Sequence, residues 1–179
     1  MIFHQSRLSG AYIIEVEKRV DNRGFFGRSF CRQEFDEHGL NPDMVQVNIG
    51  FSQSRGTLRG LHYQSPPHAE AKLVRCTAGS LYDVILDLRP NSPTFKQWMG
   101  IELSAGSYTM LYVPEGFAHG YLTLSDNTEV LYQVSQFYSP DSERGIRWND
   151  QTFAIGWPPV DHLIISEKDR QWPDWSLQS

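Results

Sequence analysis

Cysteine is scarce in this sequence, with only Cys31 and Cys76 among 179 residues. The two do not form a C-x-x-C pair, and two cysteines alone do not make a disulfide framework. Cys76 lies in an apolar run, where a free cysteine usually packs as a small hydrophobic residue. We therefore predict a packing role for Cys76.

Long hydrophobic runs are absent as well. No stretch approaches the ~20 apolar residues of a membrane span. The first residues, MIFHQSR, lack the apolar core of a signal peptide. The protein is therefore expected to be soluble and cytoplasmic, with no membrane partner.

Basic residues are outnumbered, since 16 Lys and Arg stand against 21 Asp and Glu, and the net charge is −5. Binding to nucleic acid needs a basic field over one face, so nucleic acid is not an expected partner. An anionic ligand would have to be met by a local cluster of arginine and lysine. The length predicts one domain over residues 1–179, which can bury about 70% of its unfolded surface.

What the sequence does contain is a series of short β-type runs separated by Gly, Pro, Asn and Asp. No linker, repeat or low-complexity tract interrupts them. Eight or more such strands in this length predict an all-β jelly roll or small barrel, whose interior can hold one small ligand. The predicted strands are Tyr12–Glu17, Phe25–Phe30, Val45–Ser52, Thr57–Gln64, Ala71–Ala78, Ser80–Leu88, Lys96–Leu103, Tyr108–Val113, Ala118–Leu124 and Thr128–Tyr138.

Helix is predicted at two places only. A short helix over Gln33–His38 would end at Gly39. The tail from Ser139 is irregular and rich in Trp and Pro, which suggests a wrap over the barrel end. Within that tail, Ile164–Asp169 could form one helical turn with Ser166 as its N-cap.

The segment TLRGLHYQ carries the first candidate for chemistry, His62. Gly60 and His62 share one face of the strand by period-two alternation, and Arg59 would point to the other face. A bulge at Gly60 would re-aim Arg59, because glycine inside a strand often marks a bulge or a close ligand approach. A lone barrel histidine is more often structural, but Arg59 and the nearby Lys72 favour a functional role.

Lys72 and Tyr132 are the next candidates. Lys72 alternates with Val74 and Cys76, so its ammonium lies either at the barrel mouth or buried with a partner. Beside His62 it becomes a candidate oxyanion stabiliser. Tyr132 is either a space-filling residue with an anchored hydroxyl or a general acid.

A metal site is the main alternative for a two-histidine barrel. The first segment reads His62-Tyr63-Gln64 rather than His-x-His, and no glutamate follows at ligand spacing. Only His119, in the segment PEGFAHG, remains as a partner. Two neutral ligands fall short of the usual three or four, so no metal and no other cofactor is predicted.

From about Asp21 to Asp169, an ordered series of motifs resembles that of a known family. The motifs are DNRGFF at 21–26, VQVN at 45–48, LRGLHYQ at 58–64, AKLV at 71–74, DV at 83–84, SPTF at 92–95, PEGFAHG at 114–120, Tyr132, WND at 148–150 and SEKD at 166–169. In these the chain resembles the dTDP-4-dehydrorhamnose 3,5-epimerase family, sugar-nucleotide epimerases of the cupin-like class.

The resemblance implies roles for individual residues. His62 resembles the base that removes the proton α to a C4 ketone, and Asp169 the carboxylate that orients it. Lys72 resembles the stabiliser of the enolate oxygen, and Tyr132 the acid that returns a proton to the opposite face. The implied substrate-binding residues are Arg59 and Arg23 for the diphosphate, Gln46, Asn48, Phe26 and Tyr138 for the nucleotide, and His119 beside the sugar or phosphate.

The physical chemistry of that reaction agrees with these roles. A C–H beside a ketone is acidic only if the enolate is stabilised, which a fixed ammonium does best away from water. Inversion needs a base and an acid on opposite faces, hence two different residues. The resemblance also implies a homodimer that shares strands and ligand contacts between subunits.

Two positions depart from the family pattern. Arg28 stands where the family commonly has a glutamate near the thymine, and Gly50 stands where many members have a serine. A carboxylate can accept the thymine N–H, whereas arginine only donates and suits the acceptor ring nitrogen of cytosine better. Arg28 either reads the base or lies on the surface, so the sequence leaves dTDP and CDP both open.

The sequence also leaves open which carbon is inverted: C3, C5 or both. A metal-dependent cupin and a purely ligand-binding cupin remain as alternatives of a different class. The combination of an opposed acid and base favours the enzyme over the pure binder.

Overall fold

The computed structural model describes residues 1–175, which form strands and two short helices. The strands are β1 (Ile2–Gln5), β2 (Tyr12–Glu15), β3 (Arg19–Asp21), β4 (Gly24–Phe26), β5 (Gln46–Ser52), β6 (Thr57–Gln64), β7 (Lys72–Ala78), β8 (Ser80–Asp87), β9 (Trp98–Ser104), β10 (Thr109–Val113), β11 (Phe117–Thr123), β12 (Thr128–Val134), β13 (Glu143–Gly145) and β14 (Ile164–Ile165). The helices are α1 (Arg32–Glu37) and α2 (Glu167–Arg170).

Two sheets face each other across the core. The first sheet has the strand order β1-β2-β10-β7-β12-β5, and the second has the order β13-β6-β11-β8-β9, with β14 paired in parallel to β6. A separate ribbon joins β3 to β4. The predicted all-β jelly roll is confirmed.

Side chains at every second position of the strands fill the space between the sheets. Val74 and Cys76 of β7 are fully buried in the main core cluster, where they meet Leu81 and Ile85 of β8. Cys76 is therefore the packing residue that the sequence predicts, and the thiols of Cys31 and Cys76 are both free. Each such aliphatic side chain contributes about 1.5–3 kcal/mol when it leaves water.

The outer faces of the sheets are only partly covered. Helix α1 packs Phe35 against Tyr112 and the outer face of the first sheet. The C-terminal segment covers the second sheet, where Phe153, Trp157 and Trp175 pack against a cluster that includes Leu86. This is the predicted wrap, although it lies over a sheet face and not only over the barrel end.

Several predicted boundaries were wrong. The strand predicted over Phe25–Phe30 ends at Phe26, and at the next residue a Cβ on Gly27 would lie 2.2 Å from the Val16 side chain. The strand predicted over Thr128–Tyr138 ends at Val134, the last residue paired to both β5 and β7.

The helical turn predicted over Ile164–Asp169 was partly wrong. Ile164 and Ile165 form β14, and the turn itself is α2. Ser166 is its N-cap as predicted, since its hydroxyl accepts the Asp169 N–H at 3.1 Å. In the described part of the chain, no helix has the length and apolar character that a membrane crossing requires.

Candidate active site

One end of the barrel holds two adjoining cavities, of about 360 Å³ and 210 Å³. His62, Lys72 and Tyr132 line both of them. The larger cavity is also lined by Arg59, His119, Tyr121, Lys168 and Asp169, and the smaller by Gln46, Asn48, Gln64, Glu70, Tyr138 and Glu143. The fold thus brings together most of the predicted site residues.

A bulge in β6 brings Arg59 and His62 to the same cavity. Arg59 pairs with Tyr121 and His62 with His119, so β6 has one more residue than β11 between those pairs. Gly60, with φ of +123°, lies at this irregularity, and a Cβ there would be 2.5 Å from the Gly120 Cα. The predicted bulge is confirmed, and only glycine fits so close an approach.

His62 and Asp169 form a hydrogen-bonded dyad, with Nε2 of the imidazole 2.6 Å from Oδ1 of the carboxylate. Asp169 is buried, and the Gly60 N–H lies 3.3 Å from its other oxygen. Burial alone would raise the pKa of Asp169, but the hydrogen bond and charge of His62 outweigh it and leave that pKa below its usual value. The dyad leaves Nδ1 of His62 as the nitrogen that can take a proton.

Trp172 also holds the dyad, and the sequence analysis missed it. Its indole Nε1 lies 3.3 Å from Asp169 Oδ1, and its ring meets the His62 ring edge to face at 6.1 Å between centroids. Gly145 makes room for this ring, since a Cβ there would lie 2.2 Å from it. Trp172 follows Asp169 by three residues but lies beyond the end of α2, so helical spacing gave no signal for it.

Lys72 lies on the other sheet and is buried with a partner, one of the two predicted outcomes. Its Nζ is 2.6 Å from Glu70 Oε1. The side chains of Lys72 and Glu70 are only 9% and 12% exposed. The sequence analysis missed Glu70, which lies in the loop before β7 and outside the strand alternation applied to Lys72.

Tyr132 faces the cavity from β12, next to β7 in the first sheet, whereas His62 belongs to the second sheet. The phenol and the imidazole therefore stand on opposite walls. Burial raises the pKa of Tyr132, and the charge of Glu70 raises it further against the opposing effect of Arg59. Tyr132 thus keeps its proton at neutral pH, as an acid must.

His119 forms a second, buried pair with Asp83, whose Oδ1 lies 2.9 Å from Nε2 of the imidazole. Next to it, burial raises the pKa of Tyr121 to about 12. A Cβ added at Gly50 would lie 3.0 Å from the Tyr121 hydroxyl, so Gly50 leaves room for that hydroxyl beside the cavity.

The mouth of the smaller cavity is polar. The Tyr138 hydroxyl donates to Glu143 at 2.7 Å, and Lys168 donates to the same carboxylate at 2.7 Å. The Gln46 side chain accepts the Tyr138 N–H at 2.8 Å. These contacts tie the segment after β12 to β5, β13 and α2 at the entrance.

Three predicted site residues do not reach the cavity of their own chain. Arg23 is exposed and pairs with Asp21, and Phe26 lies exposed at the end of the β3–β4 ribbon. Arg28 lines a different cavity and donates to Glu34 at 2.7 Å.

No group of three or more His, Cys, Asp and Glu side chains within residues 1–175 has the arrangement that holds a metal ion.

A barrel with a histidine–carboxylate dyad on one wall and a lysine and a tyrosine on the other defines an enzyme of the isomerase type that moves protons. The family model described as dTDP-4-dehydrorhamnose 3,5-epimerase matches residues 5–176. The chain belongs to this family of sugar-nucleotide epimerases.

Individual relatives agree with the match. The chain is similar to a dTDP-4-dehydrorhamnose 3,5-epimerase from Escherichia coli, at 47% identity over 163 residues, 89% of this chain and 87% of that one. It superposes on the same enzyme from Elizabethkingia anophelis with a TM-score of 0.96 and 42% identity, covering 99% and 98% of the chains. It also superposes on a structure from Legionella pneumophila in complex with dTDP-4-keto-L-rhamnose. The TM-score is 0.93 and the identity 37%, covering 99% of this chain and 94% of that one.

Proposed function

We propose that the protein epimerises dTDP-4-dehydro-6-deoxyglucose at C3 and C5. The observation that carries the proposal is the placement of the His62–Asp169 dyad and Tyr132 on opposite walls of one cavity, with Lys72 beside Tyr132. This arrangement offers a base, an acid and an oxyanion partner to a single ring.

The reaction requires two proton transfers at each carbon. His62 takes the proton from the carbon next to the C4 ketone, and the C–H electron pair moves into an enolate. The Lys72 ammonium stabilises the enolate oxygen in a site with little water. Tyr132 then donates its proton to the opposite face of the same carbon, which inverts it.

The nucleotide part of the substrate is proposed to lie toward the smaller cavity. Arg59 supplies positive charge for the diphosphate, as Lys168 does from the other side of the larger cavity. Gln46, Asn48 and Tyr138 line the smaller cavity and are proposed to hold the nucleotide. The relative from Legionella pneumophila binds a dTDP-linked keto sugar, which supports dTDP as the carrier.

Solvent exchange tests the function directly. The protein should incorporate deuterium from D₂O at C3 and C5 of dTDP-4-dehydro-6-deoxyglucose, read by NMR together with the inverted product. Exchange at one carbon only would replace the proposal with a single-carbon epimerase. No exchange at either carbon would overturn it and return attention to a binding or metal-dependent cupin.

Nucleotide preference forms a separate prediction. We expect dTDP to bind more tightly than CDP in calorimetric titrations, because Arg28 is engaged by Glu34 rather than directed into the cavity of its chain. A matched donor–acceptor pair is worth roughly 1–3 kcal/mol in base readout, so the preference should be ~5–100-fold. A CDP preference that moves to dTDP in Arg28→Glu would instead show that Arg28 reads cytosine.

We also propose that the protein works as a homodimer. The edge strand β5 turns Val47, Ile49 and Phe51 outward with more than half of each exposed, and Phe26 is similarly exposed. Apolar stripes of this kind on an open sheet edge are typical of surfaces that another chain covers. A second copy seated there would also give the β3–β4 ribbon, with Arg23 and Phe26, a route to the partner's cavity.

The dimer is tested by sedimentation equilibrium. The wild-type protein should have twice the mass of one chain, and Val47→Glu should shift it toward the monomer. Ile164→Glu is the matched control, because Ile164 is also exposed but lies on the second sheet. A monomeric wild type, or an equal effect of both variants, would overturn the proposal.

A cytoplasmic location is proposed as well. Cys31 and Cys76 are both free thiols, which fits a reducing compartment.

A further inference from the structure

The Lys72–Glu70 pair is built into the cavity wall and is not a mobile surface contact. Glu70 is held in turn by Gln64, whose Nε2 lies 3.2 Å from the Glu70 carboxylate. Gln64 is buried, accepts the Ser139 N–H at 2.6 Å and donates to the His68 carbonyl at 2.9 Å. One oxygen of the carboxylate therefore faces Lys72 on β7 and the other faces Gln64 on β6.

Charge explains why Lys72 needs such a partner. An ammonium removed from water is costly unless an opposite charge or strong acceptors compensate it. The same ammonium must carry a full charge to stabilise an enolate. Glu70 meets both demands, because its negative charge offsets the cost of burying the Lys72 ammonium while the protein is free of ligand.

Other ionisable groups share the two cavities, but the carboxylates among them are already engaged. Asp169 bonds to His62, and Glu143 bonds to Tyr138 and Lys168. The remaining ionisable groups in the two cavities are cationic, imidazole or phenolic: Arg59, His62, Tyr63, His119, Tyr121, Tyr132, Tyr138 and Lys168. Among the described residues that line these cavities, Glu70 is therefore the carboxylate that pairs with Lys72.

We propose that Glu70 is a positioning residue that fixes the Lys72 ammonium in the cavity where the enolate oxygen forms. The inference deepens the proposed epimerase function and rests on it. Glu70 also acts on Tyr132, since its charge helps Tyr132 to keep its proton. This second effect protects the active protonation state of Tyr132 against rising pH.

Two substitutions separate position from charge. Glu70→Gln keeps an oxygen that can accept from Lys72 but removes the negative charge, whereas Glu70→Ala removes both. In Glu70→Gln the alkaline limb of kcat/KM should move to lower pH, because the charge of Glu70 helps to raise the pKa of Tyr132. The rate at the pH optimum should stay within ~3-fold of wild type, while Glu70→Ala should lose ~10-fold there.

A matched control is Glu129→Gln, because Glu129 lies on the same strand as Tyr132 but outside both cavities, where it accepts from Thr77 at 2.7 Å. This variant should leave the pH profile unchanged. An alkaline limb that does not move in Glu70→Gln, or moves equally in Glu129→Gln, overturns the inference.

A second measurement does not depend on turnover. Reductive methylation with ¹³C-formaldehyde gives each lysine an NMR signal, and Lys72→Arg assigns the signal of Lys72. That signal should move between wild type and Glu70→Gln at the pH optimum, because the ammonium loses its charged partner at 2.6 Å, and coincident signals would contradict the inference. Absence of solvent exchange by the wild type would instead refute the proposed function, so the two failures are distinguishable.

Discussion

Replacement of His62 by alanine is expected to lower turnover by ~10²–10⁴ or more, the usual contribution of a positioned acid–base group. The expectation follows from the dyad: Asp169, with its pKa held low, fixes one tautomer and stabilises the imidazolium formed when His62 takes a proton. Alanine leaves no group at that position on the second sheet to remove the C–H proton. The measurement is the rate of deuterium entry into the substrate.

Binding provides the control for this variant. The affinity for dTDP should remain nearly unchanged, because His62 is proposed to act on the sugar ring, whereas Gln46, Asn48 and Tyr138 are proposed to hold the nucleotide. His4→Ala is the matched substitution, since His4 is exposed on β1 and pairs only with Glu15 at the surface. Retention of most of the wild-type exchange rate in His62→Ala would show that another group is the base.

Replacement of Tyr132 by phenylalanine is expected to separate the two halves of the reaction. His62 would still remove and return the proton on its own face, so deuterium exchange should continue. The inverted product should fall by ~10²–10⁴, because the proton donor on the opposite wall is lost. Phenylalanine keeps the ring, so the packing of β12 against the barrel core is preserved.

Product analysis decides this prediction. Exchange without inversion, measured in one NMR experiment, is the expected signature of Tyr132→Phe. Tyr82→Phe is the control, since Tyr82 packs against Trp157 outside the cavity. Inversion at the normal rate in Tyr132→Phe would assign the acid to water or to another side chain.

The two variants should have different effects because the base and the acid lie on opposite walls, built from different sheets, and act at different steps. Removal of the base stops the reaction before the enolate exists, whereas removal of the acid stops it afterwards. A ligand-binding protein would show neither pattern. The pair of variants therefore tests the geometry of the barrel as well as the roles of single residues.

The sequence determined the features that depend on local pattern. Alternating apolar residues and turn-forming residues predicted the jelly roll, because a strand buried on one face repeats every two residues. The same alternation predicted that Lys72 would lie at the mouth or with a partner, and glycine chemistry predicted the bulge at Gly60. Ser166 as a cap followed from the residue types that start helices.

Tertiary structure alone decided which side chains meet across long stretches of chain. His62 and Asp169 lie 107 residues apart, and their 2.6 Å contact exists only because α2 packs over β6. Their pairing could be expected from the family resemblance but not from any local pattern. The short strands β1, β3, β13 and β14 were missed because two to four residues carry too little periodicity to identify.

The partner of each charged side chain was the other feature that the sequence could not predict. Arg28 is equally suited to a nucleobase or to a carboxylate, and only the fold places Glu34 within 2.7 Å of it. Glu70 likewise reads as an ordinary loop residue until Gln64 fixes its carboxylate beside Lys72. Alternation along one strand relates residues that are close in the sequence. The partner of a charged group depends instead on distance in space.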